Sequence, residues 1–169
     1  MNMLRNLISF PLLALVVILQ SAIVSRITLL SGYADLMLIV LAAWALQAGV
    51  SSSWQWAVLG AIMVSFVSGM PWFVLLVGYL GVVLLARLLQ RRVWQAPMLA
   101  MFSVTFLGTL FMNLLALFVL QLLAHPLPFG DSLGLIILPS LLLNLLFAIP
   151  IYVVIRDLAR WVYPMREAE

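Results

Sequence analysis

Apolar residues run along this chain in long blocks broken by short polar clusters. A helix rising about 1.5 Å per residue needs about 20 apolar residues to cross a hydrocarbon core about 30 Å thick. Three blocks predict such helices directly, at 7–24, 98–123 and 135–155. The second of these is long enough to tilt or to project beyond the membrane.

The stretch 36–89 would be about 80 Å long as one continuous helix, so it must be divided. Gly49-Val50-Ser51-Ser52-Ser53 is one break and Gly69-Met70-Pro71-Trp72 another, both rich in turn-forming residues. Two breaks predict helices over 36–49, 54–69 and 72–89, for about six in all. Trp54, Trp56, Trp72, Trp94 and Trp161 fall near the ends of these segments, where an indole keeps its ring in the interface and its N–H wet. Trp44 is expected to sit deeper.

Composition agrees. The chain is 67% hydrophobic and 8% charged, against roughly 45–50% and 25% for a soluble domain. A chain of 169 residues has too small an interior to hide that much apolar surface, so its surroundings must be lipid. The run at 7–24 exceeds the usual apolar core of about 7–15 residues in a signal peptide, and it is read as a retained first helix. With no repeat and no linker, residues 1–169 read as one transmembrane domain of all-α class.

All eight basic residues are arginines, placed at the ends of apolar runs, which marks membrane orientation and not a nucleic-acid surface. With six helices and both termini cytoplasmic, Arg87, Arg91, Arg92, Arg156 and Arg160 lie inside and only Arg26 lies outside. A five-helix arrangement with an external amino terminus satisfies the same rule, so the two central breaks decide for six.

Polar groups inside hydrocarbon are costly and therefore informative. Arg26 and Asp35 flank the first external loop, as partner-recognition residues or as interfacial, solvated ones. Asn113 and Asn144 lie within the fifth and sixth spans, to join helices by amide hydrogen bonds or to touch a ligand. Pro139 and Pro150 flank Asn144, and each frees a carbonyl four residues earlier, predicting a kinked or locally unwound last helix. Gly60, Gly69, Gly78 and Gly81 allow close helix approach, either within the protein or to a partner's helix.

Catalysis has little to stand on. No paired intramembrane aspartates, serine with a base, or HExxH run appears, and the single histidine, His125, has no evident ligand partners. No cysteine is present, and no cofactor or metal is expected. Asp35, Asp131 and Asp157 all fall at predicted helix ends, which argues against proton relay at mid-membrane.

Three stretches carry a family resemblance. Leu138-Pro139-Ser140-Leu141-Leu142-Leu143-Asn144, followed by Ala148-Ile149-Pro150-Ile151-Tyr152 and Arg156, resembles the closing helix of the MreD family, a small polytopic component of the bacterial rod-shape elongation machinery. Tyr33-Ala34-Asp35-Leu36-Met37-Leu38-Ile39 resembles that family's entry to its second helix, and Gly69 with Val77-Gly78-Tyr79-Leu80 its third-to-fourth helix region. The family's third-helix aspartate has no counterpart here, where Ser65 and Ser68 are the nearby polar residues, so any role of that acid does not carry over.

The resemblance implies a non-enzymatic inner-membrane scaffold. It would bind the single-span protein MreC and, with it, the RodA glycosyltransferase and its class B transpeptidase partner, with MreB on the cytoplasmic side. On this view MreC's helix lies along Gly60, Gly69, Gly78 and Gly81, and the cytoplasmic arginines meet anionic lipid or MreB. The family resembles in fold the substrate-binding S-components of energy-coupling-factor vitamin transporters, which supplies the alternative function. The two differ in the interior they need: a carrier requires a pocket lined by polar groups, whereas a scaffold's interior can be closed or lipid-filled.

Overall fold

The computed structural model describes residues 9–48, 50–92, 96–123 and 129–162; Arg5, Trp94, His125, Arg166 and the side chain of Arg92 lie outside the described residues. Among the described residues the principal helices are α1 Ser9–Ala22, α2 Leu36–Ala45, α3 Ser53–Ser65, α4 Trp72–Arg92, α5 Pro97–Leu122 and α6 Leu138–Val162. A 3-10 turn, Val24–Arg26, and an antiparallel hairpin of β1 Thr28–Leu29 and β2 Gly32–Tyr33 connect α1 to α2. A helical turn, Phe129–Ser132, and a π-helical stretch, Leu133–Ile137, lead into α6.

Four segments are long and apolar enough to cross a membrane: Ser9–Arg26, Trp72–Arg91, Pro97–Leu122 and Gly130–Val162. With large apolar side chains such as Phe10, Ile18, Phe118 and Leu146 exposed on their outer faces, they define an all-α membrane bundle. The expected helices 36–49 and 54–69 are shorter than anticipated. α2 has 10 residues and α3 has 13, so they extend only about 15 and 20 Å.

α2 is the centre of the bundle. None of its residues is more than 8% exposed, and α1, α3, α4, α5 and α6 all pack on it. Its sequence, LMLIVLAAWA, is apolar on every side, as a helix enclosed all round must be. Trp44 sits deep as expected, stacked on Trp56 with ring centroids 3.9 Å apart and planes 12° from parallel. Trp56 therefore corrects its expected place. It is near a helix end but faces the core and is 1% exposed, whereas Trp54, Trp72 and Trp161 are exposed.

Of the two readings of the glycines, close packing within the protein fits Gly60, Gly78 and Gly81. A Cβ on Gly60 would meet Met37 Sδ at 2.9 Å, one on Gly81 would meet Phe111 at 2.5 Å, and one on Gly78 would run into the Met112 side chain. The chain's own helices fill these spaces. Gly69 stands apart, exposed and with nothing near.

The last helix departs from regularity at its start, not throughout. Pro150 lies inside a continuous α6, while the π-helical stretch ends just before Pro139. Lacking an N–H, Pro139 leaves the Leu135 carbonyl without its usual helical donor. The Ser31 N–H takes that place, at 3.0 Å. Two residues on, the Tyr33 N–H donates to Ser140 Oγ (3.2 Å), and two further on the Asp35 N–H donates to Asn144 Oδ1 (2.7 Å).

The extended chain thus runs along the last helix as a strap, with every second N–H turned toward it. The spacings match, since two extended residues advance about 6.6 Å and four or five helical residues about 6–7.5 Å. Gly32 makes the approach close enough: a Cβ there would lie 2.6 Å from Ser140 N and 2.7 Å from Ile136 O. Both are backbone atoms, which have little room to yield.

Gly32→Ala is accordingly expected to lower stability by about 1–3 kcal/mol, and Gly69→Ala to change it by less than about 0.5 kcal/mol. Thermal unfolding of the purified variants followed by tryptophan fluorescence checks this. Equal melting temperatures for the two would contradict a close-packed seam.

Candidate functional site

A helix that begins inside a membrane protein brings with it N–H groups that have no intrahelical partner. At the start of α2 three of these are met by side chains. Asp35 is the N-cap, and its Oδ1 accepts from the Leu38 N–H at 3.0 Å, the usual cap-to-N3 bond. Gln20 of α1 accepts from the Leu36 N–H at 2.6 Å through Oε1 and donates through Nε2 to the Ala34 carbonyl at 3.0 Å. Asn144 of α6 takes the Asp35 N–H and donates through Nδ2 to Thr109 Oγ1 of α5 at 2.8 Å.

Tyr79 of α4 completes the cluster, its hydroxyl donating to both Asp35 oxygens at 3.3 and 3.2 Å. Tyr79 is 1% exposed and Asn144 1%. A carboxylate is tolerable in such surroundings only because donors reach it.

Beside this cluster lies a cavity of about 220 Å³. Asp35, Gln20, Tyr79, Asn113 and Asn144 contribute polar groups to its wall, with serines at positions 21, 25, 68 and 140, and Val64, Val67, Met70 and Val74 closing the apolar side. Asp35 keeps part of its surface open to this space. The interior is thus neither closed nor wholly apolar at the hairpin end of the bundle. Among the described residues, no group of three or more His, Cys, Asp or Glu side chains gathers to hold a metal ion.

The expected site residues separate into distinct places. Asp35 does lie at a helix end, but that end is inside the bundle, so it is neither a solvated interfacial residue nor a partner of Arg26, which is exposed. Asn144 joins the hairpin, α5 and α6. Asn113 bonds the Thr109 carbonyl of its own helix at 2.9 Å and lines the cavity. Gln20 and Thr109 were not singled out from the sequence, and Tyr79 and Ser140 only as members of the family-like stretches. Gln20 carried the clearest signal, as a lone amide within the first apolar run.

At the opposite end the arginines also divide. Arg87 turns inward, donating through Nε to Ser53 Oγ at 3.0 Å, through Nη1 to Gln90 Oε1 at 3.2 Å, and through Nη2 to the Val50 carbonyl. It ties α4 to the α2–α3 connection and so leaves the set of outward-facing charges. Arg91 and Arg160 are exposed, and Arg156 pairs with Asp157 at 3.1 Å near the surface, a contact worth at most about 1 kcal/mol.

Fold and site together define a helical membrane protein with a buried polar cluster and a polar-walled cavity at one end. No family model, curated protein or solved structure matches the chain.

Asn144→Ala should cost about 1–3 kcal/mol, because it strands the buried Asp35 N–H. A double-mutant cycle with Thr109→Val is expected to return a coupling of about 1 kcal/mol. Strict additivity in denaturation measurements would show that the two side chains do not interact.

Proposed function

We propose that this chain is a non-enzymatic scaffold of the MreD type in a bacterial inner membrane, engaging MreC and, through it, the RodA glycosyltransferase and its class B transpeptidase partner. The observation supporting this reading is that two of the three stretches resembling the family, 33–39 and 138–156, pack against each other through the Asp35 N–H and Asn144 Oδ1, 2.7 Å apart. Residues that carry the resemblance thus meet in the fold. In this reading α2 and α3 supply two further passes, completed by backbone buried within the protein, where irregular structure is tolerated.

With three of the glycines occupied internally, the surface offered to MreC moves to the hairpin. Its tip exposes Leu29 (45%) and Leu30 (68%) beside Arg26, and Leu30 holds a left-handed backbone, φ 55°, that is costly for a branched side chain. An exposed apolar residue kept at a strained position is consistent with a contact made there. The arginine end faces the cytoplasm, and Arg91, Arg156 and Arg160 meet anionic lipid, each contributing about 1 kcal/mol, or MreB.

One observation favours the alternative, a substrate-binding S-component of a vitamin transporter: the polar-walled cavity of about 220 Å³. Purification from native membranes followed by mass spectrometry separates the two, a scaffold yielding stoichiometric MreC and a carrier yielding a bound small molecule with a transporter. The double variant Arg26→Ala, Leu30→Ser is expected to reduce co-purified MreC at least fivefold while leaving the melting temperature within about 2 °C, a small shift for a surface change. Undiminished co-purification would remove the hairpin from the interface.

A further inference from the structure

We propose that the cavity at the hairpin end is a binding site for a small organic cation bearing N–H donors, a primary ammonium being the simplest case. The inference concerns the purified chain alone and stands whether the protein acts as scaffold or carrier.

Charge is the first argument. Asp35 lies on the cavity wall, and none of the lining residues is Arg, Lys or His. The α2 N-terminus offsets part of the carboxylate's charge, but a helix end supplies only about half an elementary charge. Tyr79 and Leu38 give neutral hydrogen bonds. The site therefore carries an excess of negative charge, against which a ligand cation is attracted and an anion repelled.

Hydrogen-bonding capacity is the second, independent argument. The Tyr79 hydroxyl proton goes to Asp35. Gln20 Nε2 donates to the Ala34 carbonyl, Asn144 Nδ2 to Thr109 Oγ1 and Asn113 Nδ2 to the Thr109 carbonyl. Ser21 and Ser25 give their protons to the carbonyls of Ile18 and Ser21. Each amide keeps a second N–H, and Ser68 and Ser140 accept without giving up their own protons, so the wall offers a ligand donors as well as acceptors, the Asp35 oxygens and Asn113 Oδ1 among the latter. An ammonium head finds these acceptors beside the one charged group of the wall, while the remaining donors can serve a polar substituent of the guest.

Size limits the guest further. A volume of about 220 Å³ corresponds to the liquid volume of about seven waters, so an organic ion of roughly that many heavy atoms or slightly more fills it. The apolar side formed by Val64, Val67, Met70 and Val74 suits a hydrocarbon body behind the charged head. The same features disfavour a phosphate or pyrophosphate head group in this cavity.

Three probes sharing one ring separate charge from shape: benzylammonium, benzyl alcohol and benzoate, titrated into the full-length protein in detergent at neutral pH by calorimetry, with tryptophan-detected melting in parallel. Benzylammonium is expected to bind at least tenfold more tightly than benzoate and to raise the melting temperature, with benzyl alcohol between them. Asp35→Asn retains an acceptor for the Leu38 N–H and the Tyr79 hydroxyl, and should lose at least tenfold in affinity for benzylammonium. Asn113→Leu, which narrows the cavity from another helix, should weaken all three probes without lowering the melting temperature of the empty protein, and it serves if Asp35→Asn does not fold. Equal response to the three probes, preference for benzoate, or wild-type binding by Asn113→Leu would each overturn the proposal.

Discussion

A helix that starts within a membrane protein must have its first N–H groups answered by other parts of the same chain, because lipid supplies no acceptors. That requirement organises this bundle. α2 is enclosed on every side, and its N-terminus ends among α1, α4, α5 and α6. Gln20 and Asn144 bring acceptors from two of those helices, Asp35 turns back on its own helix, and Tyr79 and Thr109 hold the acceptors in place. The bonds from Gln20, Asn144 and Tyr79 fix the depths of α1, α6 and α4 relative to α2, and the Asn144–Thr109 bond ties α5 to α6.

The strap from Ser31 to Asp35 extends the same logic to irregular backbone. A proline at position 139 would ordinarily leave a carbonyl exposed to lipid, and an extended segment would ordinarily leave N–H groups exposed. Here each defect satisfies the other. The cavity lies beside this arrangement, with Tyr33 and Asp35 of the strap and Ser140 and Asn144 of α6 on its wall.

Much of this was legible in the sequence, and the gaps have physical causes. Long apolar runs and turn-rich breaks place the helices, since span length is dictated by membrane thickness and Gly, Ser and Pro end helices by local geometry. Asn144 was legible because an amide well inside a long apolar span must face protein, and Trp44 because it falls inside the expected span 36–49 and not at its end. Asp35 was not, because proximity to a helix end says nothing about whether that end reaches the surface. The signal lay elsewhere, in the ten apolar residues that follow, which leave no lipid-facing or solvent-facing side. Arg87 was misplaced because sequence shows only that Arg87, Arg91 and Arg92 cluster, not that the first sits one turn deeper, level with the Val50 carbonyl. The glycines point to close packing, but only the positions of Met37, Phe111 and Met112 show whose side chains fill the space.

The Asp35–Asn144 bond joins residues 109 positions apart, and this bears on how the protein is made. Synthesis proceeds from the amino terminus, so α2 emerges long before α6 exists. Until residue 144 leaves the ribosome the Asp35 N–H lacks its acceptor, and the Leu135 carbonyl that receives Ser31 is equally absent. The Gln20 and Asp35 acceptors of α2 are in the chain from the start, whereas those from α6 are the last to be made, so the central helix is completed only by the final segment.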